Sequence, residues 1–163
     1  MIGGDGNDIF NTGDLSFMRV NGGNGNDTLQ LRDALHGAMV MDFTAGNFAN
    51  KIKGIEVIDL SGSASTGGSD DIVNLRISDV FAISGPSHTL RITESTNLTG
   101  GSVQVFAADW KVGTLAGANL NAGNISHGSL YQLQGQVTDA SGNTVTVTLI
   151  IDPADTGVAL TAI

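Results

Sequence analysis

With 7 Lys and Arg against 16 Asp and Glu in 163 residues, the chain carries a net charge of −9, which argues against nucleic acid, whose binding needs basic patches, and against direct contact with anionic lipid. The absence of cysteine excludes disulfides, thiol catalysis and zinc–thiolate sites. The 23 glycines, two prolines and 40% hydrophobic residues describe one folded domain rich in turns, and no apolar run approaches the roughly 18 residues of a membrane-spanning helix.

The first motif along the chain is Gly3–Asn11, GGDGNDIFN, and it returns as Gly22–Gln30, GGNGNDTLQ. Both fit the nonapeptide G-G-x-G-x-D-x-U-x, where U is a large apolar residue. The first six positions hold Gly, Asn and Asp, which accept left-handed and tight-turn conformations at little cost. The last three can form a short strand with one inward side chain. Each copy therefore reads as a turn with a free carboxylate, then a strand, the pattern of Ca2+-binding parallel β-helix repeats.

Ca2+ is a hard ion that takes about six to eight oxygen ligands at roughly 2.3–2.6 Å. One turn cannot surround it, so two stacked turns must share it. The glycine pairs open at Gly3 and Gly22, one residue more than two nonapeptides apart. Both turns then fall on the same edge, with Thr12–Asn21 as the return segment. Asp8 and Asp27 are the principal candidate carboxylates. Gly3, Gly4, Asp5 and Gly6 of the first turn, and Gly22, Gly23, Asn24 and Gly25 of the second, complete the candidate metal site. N-G and D-G pairs also make ordinary hairpin turns, but two matching motifs in step favour the Ca2+ reading.

On these two nonapeptides the chain resembles the repeats-in-toxin (RTX) family, Gram-negative proteins that leave the cell by type I secretion and fold on meeting extracellular Ca2+. The resemblance implies that Asp8 and Asp27 bridge ions between neighbouring turns. It also implies that turn carbonyls complete the shell and that Phe10 and Leu29 point inward. With two clean, non-contiguous copies, one or a few ions are expected in place of a long ladder.

Further along, Ala34–Gly37 can form a helical turn and Met39–Phe43 alternates as a strand. Gly46–Gly54 reads as a loop or short helix, Ile55–Leu60 as a strand, Ser61–Ser69 as a loop and Ile72–Arg76 as a strand. Ser78 can cap a short helix through Ile83, with Asp79 in its favourable first turn. Thr89–Thr93 and Ser102–Phe106 are further strands. The centres Ile58, Asn74, Leu90 and Gln104 are nearly evenly spaced, which predicts a solenoid whose strands each stack on the one before. Gly67–Arg76, GGSDDIVNLR, echoes Gly22–Arg32 with Asp71 in place of Asp27. It is either a decayed repeat or, through Asp70 and Asp71, a weaker cation site.

Asp109–Val112 leads into a loop, Gly113–Gly128, rich in Gly, Ala and Asn. Leu130–Val137 and Thr144–Ile151 alternate cleanly about the turn Thr138–Asn143. They predict an antiparallel hairpin that caps the open end of the solenoid and its unpaired edge. The expected fold is all-β, a parallel β-roll or β-solenoid in a single domain. Residues 1–32 supply the Ca2+ turns, 33–108 an irregular solenoid, 109–152 the capping strands and 153–163 an extended tail. From Gly54 onward, GIEVIDLSGS, DDIVNLRISDVFAIS and HTLRI resemble the region near the C-terminus of very large RTX adhesins. The likeness runs from Gly3 to about Asp152. It implies an extracellular or bacterial cell-surface location, with flanking RTX repeats and the type I secretion machinery as partners. Glu94–Asn97 stands where those adhesins carry a Gly/Asp-rich turn, so no further ion site is read there.

Catalytic patterns are missing. His36, His88 and His127 are isolated, and neither H-E-x-x-H nor G-x-S-x-G occurs. Trp110 reads as core or cap packing in preference to a sugar-stacking platform. Three functional readings remain: a non-enzymatic Ca2+-binding structural module of a secreted adhesin, a carbohydrate- or surface-binding module, and an accessory domain of a secreted enzyme. Met1 leads directly into a repeat, as in a piece of a longer chain.

Overall fold

The computed structural model describes residues 1–32, 39–46, 48, 50–60, 72–94, 102–112, 123–125, 130–153 and 158–162. The strands in chain order are β1 (Ile2–Asp5), β2 (Ile9–Thr12), β3 (Val20–Asn24), β4 (Thr28–Leu31), β5 (Val40–Asp42), β6 (Ile52–Lys53), β7 (Val57–Asp59) and β8 (Ile72–Leu75). After the short helix α1 (Ile77–Ile83) come β9 (Thr89–Glu94), β10 (Ser102–Val105), β11 (Lys111–Val112), β12 (Gly123–Ile125), β13 (Tyr131–Thr138), β14 (Thr144–Pro153) and β15 (Val158–Ala162). The chain is mostly β, and most pairings are parallel. No helix among the described residues is long and apolar enough to cross a membrane.

Three sheets form. The seven-stranded sheet has the order β11-β13-β14-β9-β7-β4-β2, the five-stranded sheet β12-β15-β10-β8-β5, and the three-stranded sheet β1-β3-β6. Parallel strands keep inward residues in rows, because side chains alternate between faces along each strand. One row crosses the large sheet through Phe10, Leu29, Ile58, Ile92 and Ile151. Another crosses the five-stranded sheet through Met41, Val73 and Val103. All eight are buried in one core cluster. Burying each such side chain contributes roughly 1.5–3 kcal/mol relative to exposure.

Several expectations change. The even spacing of strand centres does not mean that each strand stacks on the one before. Ile58 pairs with Ile92 and Asn74 with Gln104, because consecutive strands alternate between the two larger sheets. The glycine halves of the nonapeptides are strands, β1 and β3, paired through Gly4 and Gly23, and only residues 6–8 and 25–27 turn. Backbone hydrogen bonding suffices for such strands, and Gly4, Gly6, Gly23 and Gly25 all take positive φ. Helix α1 starts before Ser78. The Arg76 N–H donates to Asp79 Oδ2 at 2.7 Å, and this bond sets the first turn earlier.

The hairpin β13–β14 forms as expected, but β14 also continues the large sheet in parallel against β9. Opposite residues in this pair share a face, so Leu133 and Leu149 are buried together. Part of the expected loop is strand β12, and part of the expected tail is strand β15, which pairs in parallel with β10. The helical turn Ala34–Gly37, the loop Ser61–Ser69 and the acidic pair Asp70 and Asp71 lie outside the described residues. The strand of their echo, β8, stacks on β5 and β10 and does not join the row of β4.

Candidate metal centre

The edge where β1-β3-β6 meets β2-β4-β7 carries two columns. Register places Gly3, Gly22 and Gly54 in one column. It places Asp8, Asp27 and Glu56 in the other, immediately before the paired residues Ile9, Thr28 and Val57. The acidic column is tied from rung to rung. The Asp8 N–H donates to Asp27 Oδ1 and the Asp27 N–H to Glu56 Oε2, both at 2.8 Å. Main-chain bonds run alongside, from the Thr28 N–H to the Asp8 carbonyl at 2.8 Å and from the Val57 N–H to the Asp27 carbonyl at 3.0 Å.

One oxygen of each aspartate is left over. Among the described residues Asp8 Oδ2 and Asp27 Oδ2 are buried and have no hydrogen-bond partner, and Asp27 as a whole is 0% exposed. An unpartnered buried acceptor is rare and costs roughly 1–3 kcal/mol or more. Glycine makes the arrangement possible. A methyl group at Gly3 would collide with Asp8 Oδ2 and the Gly22 carbonyl oxygen, and one at Gly22 with Asp27 Oδ2 and the Gly54 carbonyl oxygen. Each rung thus brings a carboxylate oxygen and a carbonyl oxygen to the same glycine.

The other predicted site residues divide. Gly4 lies over Gly23 and Gly6 over Gly25, each pair with its backbones in close approach. Asp5 and Asn24 face outward, exposed, and the Asn24 side-chain amide donates to Asp5 Oδ1 at 2.8 Å. The Asn26 N–H donates to Asn7 Oδ1 at 2.9 Å. Those outer residues staple the two turns from the solvent side, while Asp8 and Asp27 occupy the inner side.

Sequence reasoning missed Glu56. Burial pushes its carboxyl above the ordinary 4.5, the Asp27 N–H draws it down, and the Asp27 charge adds to the rise. The available signal was an acid between the apolar residues Ile55 and Val57, two positions after a glycine. Among the described residues no three His, Asp or Glu side chains converge on one point, so an ion here would draw further ligands from carbonyls. An oxygen-only donor set of this kind suits hard cations.

Elsewhere, Trp110 is 5% exposed and belongs to the core, as its packing reading requires. His88 is half-buried and stacks on Phe81 at 5.0 Å, while His36 and His127 lie outside the described residues. Asp59 accepts a hydrogen bond from the Gln30 side-chain amide at 2.6 Å. No family model, no curated protein and no solved structure matches the chain.

Proposed function

We propose that this chain is a non-catalytic, Ca2+-stabilised β module of the RTX type, belonging to a large adhesin exported by type I secretion. The observation that carries the Ca2+ reading is the pair of buried, unpartnered oxygens, Asp8 Oδ2 and Asp27 Oδ2, in register on neighbouring turns. They lie within the two nonapeptides, on the glycines that admit them. Asp8 and Asp27 would hold the ion together with carbonyls of the glycine-rich segments. The alternation of strands between sheets supports winding as a parallel β-solenoid, extended by the β13–β14 hairpin. The adhesin assignment, the extracellular location and the secretion partners rest on the sequence likeness that runs from Gly3 to about Asp152.

The mechanism is linkage. Bound Ca2+ would supply positive charge to carboxylates that have no cationic partner among the described residues. Without it, the turns keep their conformational entropy and the chain stays loose enough for export. A ligand at 100 times its dissociation constant stabilises the folded state by roughly 2.7 kcal/mol per site. Extracellular modules bind Ca2+ at around 10⁻⁴–10⁻³ M, so millimolar Ca2+ contributes somewhat less. That remains a sizeable share of a typical net stability of about 5–15 kcal/mol.

Thermal melts with Ca2+ and with EGTA, followed by Trp110 emission, test the reading. The melting temperature should drop clearly on chelation, and Asp27→Asn should show a much smaller Ca2+ response. Superimposable wild-type melts in the two buffers would sink it.

A further inference from the structure

The contacts that join Asp27 to Asp8 recur one step further along the chain, where no glycine-rich motif exists. Asp27 Oδ1 accepts from the Asp8 N–H, and Glu56 Oε2 accepts from the Asp27 N–H at the same 2.8 Å. Asp8 Oδ2 and the Gly22 carbonyl meet at Gly3, and Asp27 Oδ2 and the Gly54 carbonyl meet at Gly22. Glu56 therefore receives the Asp27 N–H as Asp27 receives the Asp8 N–H, whereas at Gly54 a methyl group would meet Gly23 and Asn21 Oδ1 and no Glu56 oxygen.

The third turn is also cut short. Only Ile55 separates Gly54 from Glu56, where four residues separate Gly22 from Asp27. Gly85 comes in instead, within 3.8 Å of the Gly54 Cα and 4.0 Å of Glu56 Oε1 when measured from an ideal Cβ position. Beside it a cavity of about 330 Å³ opens, lined by Asn26, Glu56, Ser87 and Thr89 among others. Arg91 also lines this cavity, with its guanidinium paired to Asp152 at 2.7 Å.

The charge balance asks for such an ion. Asp27 is fully buried with Oδ2 unpartnered, and Glu56 beside it is 8% exposed. Neither has a cationic partner among the described residues, although a buried carboxylate is costly without one. We propose that Asp27, Glu56 and the Gly54 carbonyl hold a second Ca2+ ion, distinct from the ion that depends on Asp8. This rests on the reading of the nonapeptides as Ca2+ turns. Its consequence is that Ca2+ ties the repeats to β7, and through β7 to the rest of the large sheet.

Counting ions on the whole chain tests it, by native mass spectrometry and calorimetric titration with Ca2+. The wild type should take at least two ions, and Glu56→Gln one fewer, since glutamine keeps an acceptor for the Asp27 N–H but loses the charge. Asp8→Asn should also lose one, leaving the Glu56 ion in place. A wild type that takes a single ion, or E56Q with wild-type stoichiometry and affinity, overturns the second site and leaves the Asp8–Asp27 reading standing. A wild type that takes none overturns both. Should E56Q not fold, 113Cd NMR of the Cd2+-loaded wild type decides: at least two bound resonances support the proposal, and one overturns it.

Discussion

The backbone N–H of Asp8 ends on the side chain of Asp27, so one turn's main chain depends on the next turn's carboxylate. Asp27→Asn separates the two duties of that carboxylate, because asparagine keeps an oxygen for the hydrogen bond and gives up the charge. With saturating Ca2+ the variant should melt at least about 5–10 °C below wild type, from roughly 2.7 kcal/mol of lost linkage per site at about 2–4 °C per kcal/mol. In EGTA it should match or exceed wild type, since a buried charge has been removed. Asp27→Ala loses the acceptor as well and should fall in both buffers, by about 1–3 kcal/mol for the stranded N–H. Scanning calorimetry of the three proteins in both buffers checks the order.

Gly22 tests the same rung by shape. A methyl group there meets the Gly54 carbonyl oxygen and both Oδ2 and Cβ of Asp27. Gly22→Ala should lose about 1–3 kcal/mol from overpacking and bind Ca2+ much more weakly. Gly13→Ala is the control, since its nearest contact is the Arg32 carbonyl oxygen at an ordinary 3.4 Å. Its melting temperature and titration should stay close to wild type.

The hairpin turn supplies a pH dependence. Asp139 accepts from the Ser141 N–H at 2.9 Å, the Asn143 N–H at 2.8 Å and the Asn143 side-chain amide at 3.2 Å. The bonds from Asn143, backbone first and then side chain, hold its carboxyl below the ordinary 3.8. A depressed carboxyl adds stability that is fully present above the unfolded value and is lost as pH falls through the folded one. Asp139→Ala should therefore show faster amide exchange in β13 and β14 at neutral pH. The gap from wild type should close as pH drops below 3.8.

Gly135 marks where α1 rests on β13. A methyl at Gly135 would collide with Ile77 Cδ1 and with the Asp109 carbonyl oxygen. Gly135→Ala should lose about 1–3 kcal/mol. Ile77→Val removes the clashing methyl and should recover part of that loss, which a double-mutant cycle reads as coupling. Simple additivity of the two changes would contradict the packing.

The part of this edge that could be read in the sequence is the part where the motif is copied. Gly3–Asp8 and Gly22–Asp27 share length and differ in spelling only at Asp5 and Asn24, so their register follows from the offset alone. Glu56 was hidden because its turn keeps one glycine and lies 29 residues beyond Asp27, against 19 between Asp27 and Asp8. The rows of apolar residues in β4, β7 and β9 were legible, but the partners were not. Local alternation marks a strand and says nothing of which sheet it joins, so Asn74 was placed on Ile58 when it sits between Met41's and Val103's strands. β15 escaped because pairing with β10, which is fixed only in three dimensions, gives its five residues their structure.

The glycine and acid columns have a consequence for how the chain can grow. Three bonds to side chains across the first rung join residues 19 positions apart, and parallel pairing presents the same acceptors on one side as it uses on the other. A second copy of residues 3–21 placed before Gly22 would meet, above and below, the partners that the first copy already meets. Lengthening the molecule then requires no new interface, only repetition, and each added unit brings one more acid and one more glycine into line.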